Sequence, residues 1–264
     1  MTTIEVGERS YVVCVPHAAT DYIQSNLVKT GRPYEEQMLE AMAAALEPGD
    51  LVVDVGANIG NHTLYLAVVG DLQVVAYEPN PELVAGIRAS VEANDLGDRV
   101  VVRDVGVHSK SARGTMADLD ATNLGAQSVA VADEEGDFAV VALDDEQFPA
   151  RVAALKIDVE GAEIDVLEGA AALIARDRPI VYAECGTLTG YQKVSSWMIR
   201  MGYAQTGTYN LTPTHVFRPA TGLLEEAEVV AALVTATEEI YRLNSLKVAL
   251  RAQIAEQDAG SGSA

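Results

Sequence analysis

One stretch limits the fold more than any other: Leu51-Val52-Val53-Asp54-Val55-Gly56-Ala57-Asn58-Ile59-Gly60. Leu51 to Val55 is a short β-branched apolar run, the pattern of a strand buried on both faces. The turn residues Pro48-Gly49-Asp50 precede it. Gly56 and Gly60 follow, then a helical pattern (Leu64, Leu66, Ala67) that Asn61 or Thr63 is placed to cap. A strand, a glycine turn and a helix N-terminus together present free backbone N–H groups to a polar ligand. The glycines let that ligand approach the backbone closely.

The spacing narrows the ligand. A dinucleotide fingerprint reads Gly-x-Gly-x-x-Gly, whereas this turn reads acid-x-Gly-x-Asn-x-Gly, with Asp54 at the end of the strand. A negative charge at the mouth repels a pyrophosphate and suits a cationic cofactor such as S-adenosylmethionine, which carries sulfonium and ammonium groups. Val74 to Tyr77 reads as the next strand and ends in Glu78-Pro79-Asn80-Pro81. An acid about 20 residues past the glycine turn is placed to accept hydrogen bonds from two ribose hydroxyls. The same residues also suit a helix N-terminus. The third strand, Val100 to Arg103, delivers Asp104 and Val105; an acid there either takes an adenine amino group or closes an ordinary turn. Asp54, Gly56, Asn58, Gly60, Glu78, Asp104, Val105 and Asp158 form the expected cofactor set.

The 264 residues carry a formal net charge of -21, which argues against nucleic acid as a partner. Two cysteines, Cys14 and Cys185, lie far apart without metal-ligand spacing. With no signal peptide and no apolar run long enough to span a bilayer, a cytoplasmic setting is expected.

Read in order, residues 1–48 form a lead-in. It holds a strand at Tyr11 to Val15, a polar segment from Asp21 to Thr30, and a helix from Tyr34 to Leu46. Residues 49–218 form the cofactor-binding domain, an α/β unit whose strands and helices alternate through Pro81 to Ala93 and Val100 to Arg103. Residues 109–147 read as a β-rich insertion. Strands at Leu155 to Ile157 and Pro179 to Ala183 follow, and each leads into one helix. A closing hairpin spans Tyr203 to Tyr209 and His215 to Arg218. Residues 219–257 form a long helix with apolar residues at Val229, Leu233, Ala236, Ile240, Leu243, Leu250 and Ile254, interrupted by Lys247. That spacing fits either a homo-oligomer seam through residues 221–257 or a helix folded back on its own domain. Residues 258–264 read as a disordered tail.

Leu155-Lys156-Ile157-Asp158-Val159-Glu160-Gly161-Ala162-Glu163 is the second informative segment. Open α/β sheets bind ligands outside the carboxyl ends of their strands. Asp158, Glu160 and Glu184 therefore fall on the same rim as Asp54 and Glu78, where a crowd of carboxylates calls for a cation.

The assembled pieces resemble the FkbM-type S-adenosylmethionine-dependent methyltransferases. They are Pro33-Tyr34-Glu35, the turn Asp54 to Gly60 with His62-Thr63-Leu64, and Glu78-Pro79. Further on come Asn123-Leu124-Gly125-Ala126, Leu143-Asp144-Asp145, Lys156 to Glu163, and Arg178-Pro179 leading to Glu184. The resemblance implies a class I methyltransferase (Rossmann-like) fold: a seven-stranded, mostly parallel sheet with one antiparallel strand and helices on both faces. It also implies methyl transfer to a hydroxyl on a small-molecule or carbohydrate acceptor, of sugar, glycan or polyketide type.

Such a transfer is an in-line displacement, so the protein aligns acceptor, methyl and sulfur and removes a proton as the bond forms. The expected catalytic residues are Asp158, Glu160, Glu184 and His62. Asp158 and Glu184 shape the acceptor site, and Glu160 either accepts the proton or binds a divalent metal. His62 serves as base or as a positioning residue. Two other readings are a non-catalytic assembly module acting through the C-terminal helix and an NAD(P)-dependent dehydrogenase; the intact rim acids count against the first and the glycine spacing against the second.

Overall fold

The structure, a computed structural model, describes residues 1–118, 127–132, 136–220 and 234–247. A hairpin opens the chain, β1 (Thr2–Val6) paired antiparallel with β2 (Arg9–Val13). The polar segment from Asp21 to Thr30, to which the sequence assigns no element, is a helix, α1 (Tyr22–Thr30). Asp21 Oδ1 accepts from the Gln24 N–H at 2.9 Å and caps it. Helix α2 (Glu36–Ala44) then leads to the glycine-turn strand.

From there β3 (Leu51–Val55), α3 (Asn61–Val68), β4 (Gln73–Tyr77), α4 (Pro81–Ala93) and β5 (Val100–Arg103) alternate. Asn80 caps α4, and Pro81 occupies its first turn, where a missing N–H costs nothing. The insertion is β-rich as expected: β6 (Gly106–Val107), β7 (Ala112–Asp118), β8 (Gln127–Ala132) and β9 (Phe138–Val141) form a small sheet ordered β6-β9-β7-β8. The motif Asn123 to Ala126 lies outside the described residues, as does the tail 258–264.

After the insertion come β10 (Val152–Ile157), α5 (Glu163–Glu168), α6 (Ala171–Asp177), β11 (Ile180–Glu184), α7 (Leu188–Arg200), β12 (Tyr203–Tyr209) and β13 (Thr214–Pro219). The sequence suggests one helix after Gly161, but the structure has two. Gly169 lies so close to the His108 carbonyl that an added Cβ would meet its oxygen at 2.1 Å. The Asp144 carboxylate then caps α6 through the Ala172 and Leu173 N–H groups.

The central sheet runs β12-β13-β11-β10-β3-β4-β5. Strands β11, β10, β3, β4 and β5 are mutually parallel, and β13 is antiparallel to both neighbours. This is the seven-stranded class I arrangement that the resemblance implies. Apolar cores lie on both faces: Val53, Val55 and Leu155 pack into one, and Val52, Ala76 and Ala154 into the other. Burial on both faces explains why β3 and β10 read as near-continuous apolar runs. Because β3, β4, β10 and β11 run the same way, all four carboxyl ends open on one edge.

Residues 234–247 form a helix, α8, within the long C-terminal pattern. Its Thr237 and Tyr241 are buried against the domain. The Tyr241 hydroxyl donates to the Cys185 carbonyl at 2.6 Å and lies 2.8 Å from His215 Nε2. This stretch packs in cis, while Ile240, Leu243 and Leu246 remain exposed. Among the described residues no helix is long and apolar enough to cross a membrane.

Candidate active site

Three strand ends are tied together at the glycine turn. Gly56 and Ala57 both donate backbone N–H groups to the Tyr77 carbonyl, each at 3.0 Å, and Asp158 N donates to Val55 O at 3.0 Å. Gly56 has φ 77°, and a Cβ there would lie 1.8 Å from the Asp158 carbonyl oxygen. Only a residue without a side chain lets β3 turn this close to the end of β10. Asn58 follows in a left-handed conformation, φ 52°, and its N–H donates to Glu78 Oε2 at 2.9 Å. The other oxygen, Oε1, accepts from Asn80 N at 2.9 Å. Burial pushes the Glu78 carboxyl up to about 7 against the lowering effect of these two N–H groups.

Beneath the turn lies a buried ion pair. Asp54 and Lys156 face each other in register across β3 and β10, at 0% and 2% exposure. Lys156 Nζ sits 3.1 Å from Asp54 Oδ1 and 3.5 Å from Asp158 Oδ2, and donates to the Gly56 carbonyl at 2.9 Å. Thr63 Oγ1 donates to Asp54 Oδ2 at 2.6 Å. Burial opposes both charges, yet each partner outweighs it: Asp54 is held below the usual carboxylate range and Lys156 above the usual lysine range.

Above this pair opens a cavity of about 180 Å³. Glu35, Asn58, His62, Glu78, Asp158, Glu160 and Glu184 supply its polar wall, and Ile59, Leu83, Val105 and Val107 its apolar one. Asp158, Glu160 and Glu184 can each place an oxygen within 4.8 Å of the others, a set of hard donors that suits magnesium or calcium. Burial and then the Asp158 charge raise both Glu184 and Glu160, the latter to about 7. His62 Nε2 lies 3.1 Å from Glu35 Oε2.

An adenosine-bearing cationic cofactor fits this chemistry. Glu78 is a carboxylate whose oxygens keep spare lone pairs for hydroxyls. Asn58 Oδ1 is buried with no partner among the described residues, and the apolar wall matches a purine.

The structure brings most of the expected residues to this cavity: Gly56, Asn58, Glu78, Val105, Asp158, Glu160, Glu184 and His62 line it. Three expected residues do not. Asp54 is not an acid at the mouth but lies one layer below, its charge spent on Lys156 and Thr63. Gly60 shapes α3 from its N-cap position, φ 86°, packed on Ile87. Asp104 projects outward beside Arg88 at 3.4 Å, its side chain 63% exposed, because β5 is an edge strand. Sequence reasoning missed Glu35, although Pro33-Tyr34-Glu35 was already a motif; its partner, His62, is 27 residues away.

The family described as the methyltransferase FkbM domain matches residues 54–204. The solved structure of methyltransferase FkbM from Methylobacillus flagellatus KT superposes with a TM-score of 0.51 at 17% identity, covering 76% of this chain and 47% of that one. The chain thus spans about half of that protein, and the likeness shows the fold. Precorrin-6y C5,15-methyltransferase from Geobacter metallireducens GS-15 gives a TM-score of 0.44 at 12% identity, over 69% of this chain and 86% of that one. TYW2 from P. horikoshii, solved in complex with MeSAdo, gives 0.45 at 17%, over 82% and 69%. No curated protein matches the sequence.

Proposed function

Because the chain belongs to the FkbM methyltransferase family, we propose that it moves a methyl group from S-adenosylmethionine to a hydroxyl of a sugar, glycan or polyketide-type acceptor. The supporting observation is a shared wall. Glu160 and Glu184 line the cofactor cavity and also a neighbouring one of about 290 Å³, whose other polar groups include Glu163, Thr187, Thr189 and Lys193. Two compartments meeting at two carboxylates suit a donor on one side and a polyhydroxylated acceptor on the other.

When bound, S-adenosylmethionine supplies an electrophilic methyl on a sulfonium. Glu78 accepts the ribose hydroxyls, Asn58 and the Gly56 turn hold the polar end, and Val105 with Leu83 encloses the base. Asp54 and Gly60 act from beneath by fixing the turn. Asp158 and Glu184 orient the acceptor oxygen. Its proton leaves to Glu160 or His62 on the same wall; where His62 takes it, Glu160 is part of a divalent-ion seat with its two neighbours.

The division of roles is testable. Asp158→Asn and Glu184→Gln are expected to lower turnover about 10²-fold or more with little change in S-adenosylmethionine affinity. Glu78→Ala is expected to weaken donor binding about tenfold or more. Calorimetry beside a tritiated-methyl transfer assay reads both, and equal loss of donor affinity in all three variants would remove the assignment. Running the assay with a chelator decides the ion seat, since undiminished turnover excludes it.

We further propose that the outward row Ile240, Leu243 and Leu246 receives a second copy of the chain, because it continues the apolar seam of residues 221–257. Sedimentation should give a dimer for the wild type and a monomer for Leu243→Glu. A wild-type monomer would end the idea.

A further inference from the structure

Two adjacent pairs of residues fasten α2 to the start of α3. The Asn61 side chain clamps the Tyr34 peptide from both ends: Tyr34 N donates to Asn61 Oδ1 at 3.0 Å, and Asn61 Nδ2 donates to Tyr34 O at 2.9 Å. One residue further along each segment, Glu35 Oε2 and His62 Nε2 meet at 3.1 Å. These side chains are 11% and 10% exposed, and both line the cofactor cavity with Asp158 and Glu184. Glu35 reaches this position from a left-handed backbone, φ 59° and ψ 34°, a conformation that is strained for a residue with a side chain.

A carboxylate can only accept a hydrogen bond. With Glu35 ionised and His62 neutral, the shared hydrogen sits on Nε2 and the lone pair of His62 on Nδ1. Resting on the methyl-transfer reading above, we infer that Glu35 is the positioning residue that makes His62 the base, with Nδ1 taking the acceptor's proton. The acceptor O–H bond breaks as its oxygen forms the new C–O bond, and the proton moves to Nδ1. The electron pair of the broken S–CH₃ bond stays on sulfur, leaving a neutral thioether. The imidazolium is held by the Glu35 carboxylate until Nδ1 returns its proton to water.

The surrounding groups favour this assignment. Asp158 is already engaged by Lys156 at 3.5 Å. Asp158, Glu160 and Glu184 crowd one another, with oxygens within 4.8 Å, whereas His62 has Glu35 as its partner.

The chain has only four histidines, so a long-range ¹H–¹⁵N spectrum of their rings, assigned with His62→Ala, reads the tautomer without any acceptor. We expect His62 to carry hydrogen on Nε2 with Nδ1 bare, and Glu35→Gln to mix the two tautomers. In methyl-transfer assays Glu35→Gln should lower kcat about 10–100-fold, and His62→Ala about 10²–10⁴-fold. KM for the donor and its calorimetric affinity should stay within about threefold. Added imidazole should restore part of the His62→Ala rate and none of the Glu35→Gln rate, a result that a purely structural role cannot produce. A bare Nε2 in the wild type, or Glu35→Gln at full kcat, overturns the inference alone. Failure of the wild type to bind S-adenosylmethionine overturns it together with the reading beneath it.

Discussion

Replacing Lys156 by methionine is expected to destabilise the fold by about 3–5 kcal/mol, because it strands Asp54 and leaves Asp158 without its nearest cation. Methionine matches the stem of lysine closely, so lost packing contributes little. What it cannot supply is a positive charge to Asp54, which has 0% exposure and, among the described residues, keeps the Thr63 hydroxyl as its one side-chain hydrogen-bond partner. The Gly56 carbonyl also loses its donor at 2.9 Å, so donor affinity should fall with stability. Urea unfolding followed by circular dichroism reads the first effect and calorimetry the second. The double variant Asp54→Asn with Lys156→Met leaves neither charge alone and should regain at least about half of the loss. A single Lys156→Met within about 1 kcal/mol of wild type would mean that water reaches the pair.

Gly56→Ala is the second large effect. Its Cβ would lie 1.8 Å from a backbone oxygen of Asp158 that is itself tied in place by the bond from Asp158 N to Val55 O. No rotamer relieves that contact, and the left-handed φ of 77° adds about 1–2 kcal/mol. A total of at least about 3 kcal/mol and loss of measurable donor binding are expected. Gly7→Ala is the control: it also has a positive φ, 58°, but among the described residues nothing lies within 4 Å of the added carbon, so only the backbone cost should appear. Similar unfolding midpoints for the two variants would show that the turn opens more readily than its geometry indicates.

The features legible from the sequence are those that depend on neighbours along the chain. Buried strands announced themselves at β3, β4, β10 and β11 through β-branched runs, and α4 through Asn80 and Pro81. Helix α1 did not, because only Gln24 and Leu27 of it are buried, too few to make an apolar stripe; Asp21 as a cap was the available signal. The break between α5 and α6 is invisible to a helical period, since the spacing of Leu167, Ala171 and Ile174 runs straight across it. What meets the break is distant in sequence: the His108 carbonyl against Gly169, and Asp144, whose N–H donates to the Gly169 carbonyl and whose carboxylate caps α6.

The site follows the same division. The strand ends placed Glu78, Asp158 and Glu184 on one edge, and they do line one cavity. A linear reading could not tell that Asp54 turns under the glycine loop, because the partner that draws it there, Lys156, faces it from another strand. Asp104 was placed by its position after a strand, and edge exposure sent it outward to Arg88.

Tyr241 fastens α8 in an unusual way for a terminal helix. Burial pushes the His215 ring down to about 4, so at ordinary pH it offers one hydrogen and one lone pair. Tyr241 uses the first, Thr208 and Gln205 surround the second at 3.1 and 3.3 Å, and Gln205 also reaches Thr237 on the same helix. A purely greasy contact would let the helix slip by a turn, whereas this directional chain admits a single alignment. The carbonyl it ends on belongs to Cys185, the neighbour of Glu184, so the alignment of the tail is keyed to the wall between the two compartments.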